Sequence, residues 1–214
     1  RGILQGQYNS WSQGSSCMKV AASDNIVVFR ASEVAFLRAE GALRGWNMGG
    51  SPKDLYEAGI RLSFEENNIS SGVESYLANT GKVEGYKDPL KGQSGQTYDY
   101  SGSINTAVTV AWAGGDFEKS LEQIITQKWI ANFPNGMESW SEYRRTGYPK
   151  LMPMAANASS GIVDDTEGAR RMPYPTDEYR ENKESVEAAV LTLTQESKTK
   201  KGDSMATHVW WDCK

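Results

Sequence analysis

Two glutamates stand four residues apart in the segment NFPNGMESWSEYRRTGYP, which covers residues 132–149. If this segment is helical, Glu138 and Glu142 lie next to each other on its surface. Paired carboxylates of this kind can serve as acid and base in glycoside hydrolysis. Arg145 follows Glu142 by three residues, however, and a glutamate followed by an arginine on one helix face is typical of an ion pair. The pattern allows a hydrolase site or a structural ion pair, and it favours the ion pair.

A second segment, GDSMA at residues 202–206, approximates the G-x-S-x-G sequence around the nucleophilic serine of many hydrolases. His208 and Asp212 follow it closely. The hydrolase serine needs a buried strand before it and a helix after it, whereas Ser204 follows the charged run ESKTKKG. A Ser-His-Asp set within so short a segment is also hard to orient. We therefore do not expect Ser204 to be catalytic.

A third set of residues has the chemistry to bind sugars. The polar region from about residue 70 to residue 115 carries Tyr98, Tyr100 and Trp112, with Asn105 among them. Aromatic rings stack on the C–H face of a sugar, and amides pair with its hydroxyl groups. We predict these four residues as glycan contacts. For Trp112 the alternative is a packing role that fastens the loop to the helices.

The composition excludes several other classes of protein. Lysine and arginine number 23 against 27 aspartates and glutamates, and a net charge of −4 disfavours a nucleic-acid partner. The chain has one histidine and two cysteines, in no metal-binding spacing, so we expect neither a metal nor a cofactor. The oxidation state of Cys17 and Cys213 stays open. No apolar run approaches the ~18 residues that a membrane-spanning helix needs.

The elements that must position these residues are mainly helical, with little β structure. Apolar spacing predicts a first helix over 30–46. Ser51 and Pro52 then predict the start of a second helix that reaches about Glu66, with Asp54 completing the cap. Two helices in about 34 residues are typical of a tetratricopeptide-like hairpin. One such hairpin cannot bury its apolar face alone, so we expect this face to be exposed unless another chain covers it.

The rest of the chain divides into three regions. A long loop covers 70–115 and ends in a short strand at 107–112. Helices follow within 116–147, and the 151–214 region is irregular apart from a helix at 178–194. Asp116 should cap the first helix of the 116–147 region, and Gly147 should end the last one. We assign four tryptophans to packing: Trp46, Trp129, Trp210 and Trp211.

Four segments together resemble the SusD/RagB family of outer-membrane nutrient-binding lipoproteins, in its SusD-like branch. They are EVAFLRAEGALRGWNMGGSPKDLYEAGIRLSFEENNI at 33–69, LEQIITQKWIANFPNGMESWSEYRRTGYPKL at 121–151, RRMPYPTDEYRENKESVEAAV at 170–190 and HVWWDCK at 208–214. The segments follow one another in the order that the family has. Chance agreement is therefore a poor explanation of the resemblance.

The resemblance implies a superhelix of tetratricopeptide-like hairpins in a lipoprotein of the outer membrane, exposed at the cell surface. It implies no enzyme, but a protein that captures a glycan or another oligomeric nutrient and delivers it to a TonB-dependent, SusC-like transporter. Residues 1–214 resemble the C-terminal part of one such domain. The N-terminal half and the lipid anchor are then expected outside this sequence. No ligand motif of the family maps onto numbered positions here, so the four glycan contacts depend on physical reasoning alone.

Two alternatives remain beside glycan capture. One is a glycoside hydrolase that uses Glu138 and Glu142. The other is a tetratricopeptide-like scaffold that binds protein. The sequence also leaves open whether a captured ligand is a glycan or a peptide.

Overall fold

The computed structural model describes residues 21–23, 27–82, 108–152, 154 and 157–212. These residues belong to two compact units, one reaching Leu151 and the other beginning at Met152. The described residues contain only one isolated β-bridge, between Asp164 and Gly168, so the prediction of a mainly α protein is confirmed. The α-helices of the described residues are α1 (Ala31–Leu43), α2 (Pro52–Glu66), α3 (Val73–Leu77), α4 (Phe117–Ala131), α5 (Gly136–Thr146), α6 (Thr176–Glu181) and α7 (Lys183–Glu196).

The hairpin of α1 and α2 forms as the sequence predicts. The Ser51 hydroxyl accepts from the backbone N–H of Asp54 at 3.1 Å and donates to the Asp54 carboxylate at 2.6 Å. This cap satisfies an N–H group that the helix leaves unpaired. Gly59 lets the two helices approach closely, because a Cβ atom at this position would lie 2.7 Å from the Phe36 ring.

Helix α4 covers the hairpin and completes the main core. The expectation that residues 30–66 expose a large apolar face is therefore wrong. Ile124 and Ala131 stand seven residues apart, about two helical turns, so both point to the same side of α4 and fill the groove. The buried cluster consists of Phe36, Ala39, Leu55, Tyr56, Ile60, Ile124 and Ala131.

The ends of α4 and α5 confirm two sequence predictions and add a third cap. Asp116 accepts from the N–H of Lys119 at 2.9 Å at the start of α4. Gly147 ends α5 in the left-handed conformation, with φ of 75°. The cap that the sequence did not reveal is Asn135, whose side chain accepts from the N–H of Glu138 at 3.3 Å.

Three predicted elements differ in the structure. Helix α3 lies inside the region assigned to the loop 70–115. The strand predicted at 107–112 is wrong over its described residues 108–112, which form no strand. The helix predicted at 178–194 is two helices, because Asn182 adopts φ of −132° and ψ of 40° between α6 and α7. An extended φ of this size interrupts the helical hydrogen bonds.

Three tryptophans assigned to packing are partly or largely exposed. Trp46 is 63% exposed because α1 already ends at Leu43 and Gly45 turns the chain with φ of 85°. Trp129 is 38% exposed, since Ile124, Ile125 and Lys128 occupy the buried side of α4. Trp210 is 89% exposed, whereas Trp211 is half-buried.

The second unit, which carries α6 and α7, is organised around buried charges. Arg170 and Asp212 are almost fully buried, and Nε of Arg170 donates to Oδ2 of Asp212 at 2.8 Å. Nη2 of the same arginine donates to Oδ1. Two parallel bonds of this kind offset much of the free energy that removing both charges from water costs. The pair therefore fixes the chain end to the loop that precedes α6.

Candidate functional site

The segment 108–113 has its backbone satisfied by side chains instead of a neighbouring strand. Nε2 of Gln123 donates to the carbonyl oxygens of Thr109 and Ala111, at 2.8 and 2.9 Å. Oε1 of Gln123 accepts from the N–H of Ala113 at 3.1 Å. The buried side chain of Gln123 on α4 thus makes hydrogen bonds that a partner strand would otherwise make. This is the physical reason why the β-branched pattern of the segment does not produce a strand.

Two further hydrogen bonds fix the same segment to the helices. The Tyr56 hydroxyl donates to the carbonyl oxygen of Val110 at 2.7 Å. Burial, followed by the negative charge of nearby groups, raises the pKa of Tyr56, so this hydroxyl remains a donor. The N–H of Ala111 donates to the carbonyl oxygen of Asn79 at 2.9 Å. The segment is consequently a fixed wall against α2, α3 and α4.

A cleft of about 310 Å³ opens between this wall, the end of α3 and the facing side of α4. Its volume is at the lower end of the range of small-ligand sites. Val108, Val110 and Ile130 give it an apolar surface. Amide, hydroxyl and ammonium groups surround that surface and belong to Tyr76, Asn79, Lys82, Thr109, Gln123, Thr126 and Gln127.

The amide of Gln127 is oriented by its neighbour on α3. The Tyr76 hydroxyl donates to Oε1 of Gln127 at 3.0 Å, and the NH₂ group lies on the other side of the amide. Among the described residues, no acceptor is bonded to that NH₂ group. Asn79 is similarly fixed, because its Oδ1 accepts from the N–H of Gly81 at 2.7 Å. The cleft therefore presents amide donors in defined positions beside an apolar wall.

Trp112 contacts the core and does not line this cleft. Its ring centroid lies 5.1 Å from that of Tyr56, and the indole packs against the main buried cluster while staying partly exposed. The other three predicted contacts, Tyr98, Tyr100 and Asn105, lie outside the described residues. The two described residues that flank this part of the chain, Lys82 and Val108, both line the cleft.

The glutamates that could have formed a hydrolase pair belong to an ion network. Nζ of Lys128 lies 3.1 Å from Glu142 and 3.6 Å from Glu138. A third carboxylate, that of Glu33 on α1, lies 3.4 Å from the same nitrogen. Arg145 also contacts Glu142 at 2.7 Å, as the sequence favoured. Glu138 and Glu142 of α5 and Glu33 of α1 thus join their helices to α4 through the shared ammonium group of Lys128.

The Ser204 hydroxyl has no part in a catalytic triad. It donates to the carbonyl oxygen of Ile162 at 2.9 Å. Both ring nitrogens of His208 are used elsewhere, since Nε2 lies 2.7 Å from Glu167 and Nδ1 lies 3.0 Å from the carbonyl oxygen of Asp212. A general base must reach the hydroxyl that it activates. The structure thus agrees with the sequence argument against Ser204.

Sequence reasoning missed the residues that build the cleft. Gln123 and Gln127 stand four apart on α4, so they share a helix face, and this spacing was the available signal. Nothing in the sequence shows that the region after α3 meets that face. In the described part of the chain, acidic, histidine and cysteine side chains form no cluster suited to a metal ion. The same residues include no helix long and apolar enough to cross a membrane.

Comparisons with known proteins agree with this architecture. The family model described as "SusD-like: Susd and RagB outer membrane lipoprotein" matches residues 1–212. No curated protein matches the chain significantly. A solved SusD homologue from Bacteroides ovatus is 89% identical, with a TM-score of 0.89, and the match covers 100% of this chain and 43% of that one.

Two more distant solved structures extend the likeness. A SusD homologue from Bacteroides thetaiotaomicron is 50% identical with a TM-score of 0.81, over 92% of this chain and 40% of that one. A chitin-binding SusD homologue from Flavobacterium johnsoniae is 46% identical with a TM-score of 0.71, over 85% of this chain and 36% of that one. The chain spans less than half the length of these relatives. It belongs to the SusD-like family of Susd and RagB outer membrane lipoproteins, as its four matching segments predicted.

Proposed function

We propose that this chain forms part of a surface protein that binds glycans without cleaving them, and that the cleft between α3, α4 and the segment 108–113 contacts the sugar. The observation that carries the proposal is the oriented amide of Gln127 beside the apolar wall of Val108 and Ile130. A sugar ring needs both surfaces, because its faces carry C–H groups and its edge carries hydroxyls. The chitin-binding relative supports a glycan as the ligand class.

The aromatic residues of the preceding region complete this proposal. Tyr98, Tyr100 and Asn105 would supply further contacts from the part of the chain that joins Lys82 to Val108. Trp112 would act from its place against Tyr56, either on the sugar or by fixing the segment 108–113. The captured glycan would pass to a TonB-dependent, SusC-like transporter at the outer membrane. Co-purification of that transporter with the tagged chain from its native membrane tests this last step.

Calorimetry with defined hexasaccharides tests the cleft. We use the hexamers of N-acetylglucosamine, glucose, xylose and mannose as probes. Gln127→Leu keeps the size of the side chain and removes its N–H donors, so we expect it to weaken binding of the preferred hexamer by at least about tenfold. Tyr76→Phe removes the bond to Gln127 but keeps the amide, and it should weaken binding less.

The control for both variants is Gln195→Leu, a change of the same type at an exposed position of α7. Equal affinity of the wild type and Gln127→Leu for the preferred hexamer would exclude the cleft as the glycan-binding site. Failure of all four hexamers to bind the wild type would exclude glycan capture with these sugars. Release of reducing ends from any hexamer, lost in Glu138→Gln and Glu142→Gln, would instead favour the hydrolase.

A further inference from the structure

The second unit presents a tryptophan to solvent on a tight turn. Trp210 is 89% exposed, although tryptophan is among the side chains that proteins bury most on average. The turn is closed by a hydrogen bond from the N–H of Asp212 to the carbonyl oxygen of Val209, at 3.0 Å. The ring therefore stands at the tip of a defined turn.

The residues on both sides of this tip are buried and paired. His208 and Asp212 are each 1% exposed. Nδ1 of His208 donates to the carbonyl oxygen of Asp212 at 3.0 Å, and Arg170 binds the Asp212 carboxylate through Nε and Nη2. Nε2 of His208 lies 2.7 Å from Glu167. Because these bonds already order the turn, a ligand of Trp210 would not have to order it on binding.

A cleft of about 340 Å³ lies beside the indole. Its lining combines Trp210 and Val209 with polar residues at and just after the end of α7, namely Glu196, Ser197 and Lys198, and with Asp212. An aromatic face next to a carboxylate and an ammonium group, those of Glu196 and Lys198, has the chemistry that a sugar ring requires. An apolar peptide segment would remove the exposed charged groups of Glu196 and Lys198 from water.

We propose that Trp210 and this cleft form a second carbohydrate-contact site, which takes the C–H face of a pyranose ring on the indole and its hydroxyls on Glu196 and Lys198. The inference rests on the proposed function only in that the ligand is a glycan. The first cleft and the Trp210 site lie in different units and share no residue, so each can be tested alone. Because stacking on the indole is one contact among several in a hexasaccharide complex, Trp210→Ala should weaken binding about two- to tenfold.

The test follows the indole N–H resonances of the chain labelled with ¹⁵N-tryptophan during titration with the same four hexamers. Trp210→Phe assigns the Trp210 resonance. Trp46, which is 63% exposed in the other unit, serves as an exposed tryptophan outside both clefts. Folding is not at risk in the Trp210 variants because the side chain contributes little buried area. A parallel titration follows the side-chain amide of Gln127.

We expect at least one hexamer to shift the indole N–H resonance of Trp210 in a saturable manner, while the resonance of Trp46 stays unchanged. A shift of the Gln127 amide resonance alone would overturn the Trp210 site and support glycan binding in the first cleft. A shift of Trp210 alone would support the new site and exclude the first cleft. If neither residue responds to any hexamer, the second site and the proposed function fail together. If Trp46 shifts as much as Trp210, the contact is nonspecific and the inference is overturned.

Discussion

Arg145 binds the carboxylate of Glu40 through two parallel hydrogen bonds, Nη1 to Oε1 at 2.7 Å and Nη2 to Oε2 at 2.6 Å. Glu40 lies on α1 and Arg145 on α5, so this pair joins helices that are far apart in the sequence. Burial acts to raise the pKa of Glu40, but the hydrogen bonds and charges of Arg145 and Arg44 outweigh it. The pKa of Glu40 therefore lies below its ordinary value of 4.5.

This shift predicts acid sensitivity of the α1–α5 contact. A carboxyl group whose pKa is lower in the folded state stabilises the fold fully above its unfolded pKa, and this stabilisation is lost as the pH falls through the folded pKa. We expect the free energy of unfolding to decrease as the pH falls below about 4.5, and Glu40→Gln to flatten this decrease. Urea unfolding at several pH values between 7 and 3 measures both slopes.

The control for the Glu40 experiment is Glu65→Gln, which removes an exposed carboxylate from α2. Its pH dependence should match that of the wild type. An unchanged slope in Glu40→Gln would show that acid acts on other groups.

Lys128 gives a second prediction, because its ammonium group is 1% exposed among three carboxylates. Lys128→Met keeps the length of the side chain but leaves Glu33 and Glu142 buried without this cation. Removing one partner of a buried ion pair costs about 3–5 kcal/mol, so we expect a loss of this size in the free energy of unfolding. Chemical denaturation at pH 7 measures it.

Lys53→Met provides the matched change at the surface. Lys53 pairs with Glu57 at 3.7 Å and is more than half exposed, so the loss should be about 0–1 kcal/mol. Adding Glu33→Gln to Lys128→Met should recover part of the lost stability, since Lys128 is the only cation paired with Glu33 among the described residues. Equal effects of Lys128→Met and Lys53→Met would contradict the structural role of this network.

The elements that the sequence predicted correctly are those whose signals are local. Ser51 and Asp54 form a cap within four residues, and Gly147 needs only its own backbone conformation. Long-range partners explain what was missed. The segment 108–112 has the composition of a strand, yet Gln123 satisfies its backbone from α4. Local propensity cannot anticipate such a partner, because it depends on which helix packs alongside.

The same distinction holds for the charged and aromatic residues. The Glu142 and Arg145 pair was visible as a spacing of three residues, whereas Lys128 gave no sign of being buried. Helical periodicity assigned Trp46 to the core, but the helix ends before reaching it. Burial therefore depended on where each helix stops and on contacts made over long separations.

The close contact of Gly59 with Phe36 predicts the cost of a single methyl group. In Gly59→Ala the new Cβ would lie 2.7 to 2.9 Å from three atoms of the Phe36 ring. The ring is 1% exposed within the main buried cluster, so making room for the methyl group requires this cluster to repack, and overpacking should cost about 1–3 kcal/mol. Gly136→Ala is the control, because a Cβ there meets nothing within 4 Å. Thermal unfolding separates the two variants, and equal melting temperatures would contradict close packing at Gly59.

The wall of the first cleft should loosen in Gln123→Leu. This variant has nearly the volume of glutamine but leaves the carbonyl of Thr109 and the N–H of Ala113 without their present partner. The carbonyl of Ala111 keeps only its bond from the Thr109 hydroxyl. Each such group that stays buried and unpaired costs about 1–3 kcal/mol, so the segment should open to water instead. We expect amide exchange at Ala111 and Ala113 to accelerate at least about tenfold while exchange in α2 stays unchanged. Gln195→Leu should leave all of these rates as they are, and protection retained in Gln123→Leu would mean that Tyr56 and Asn79 hold the wall without Gln123.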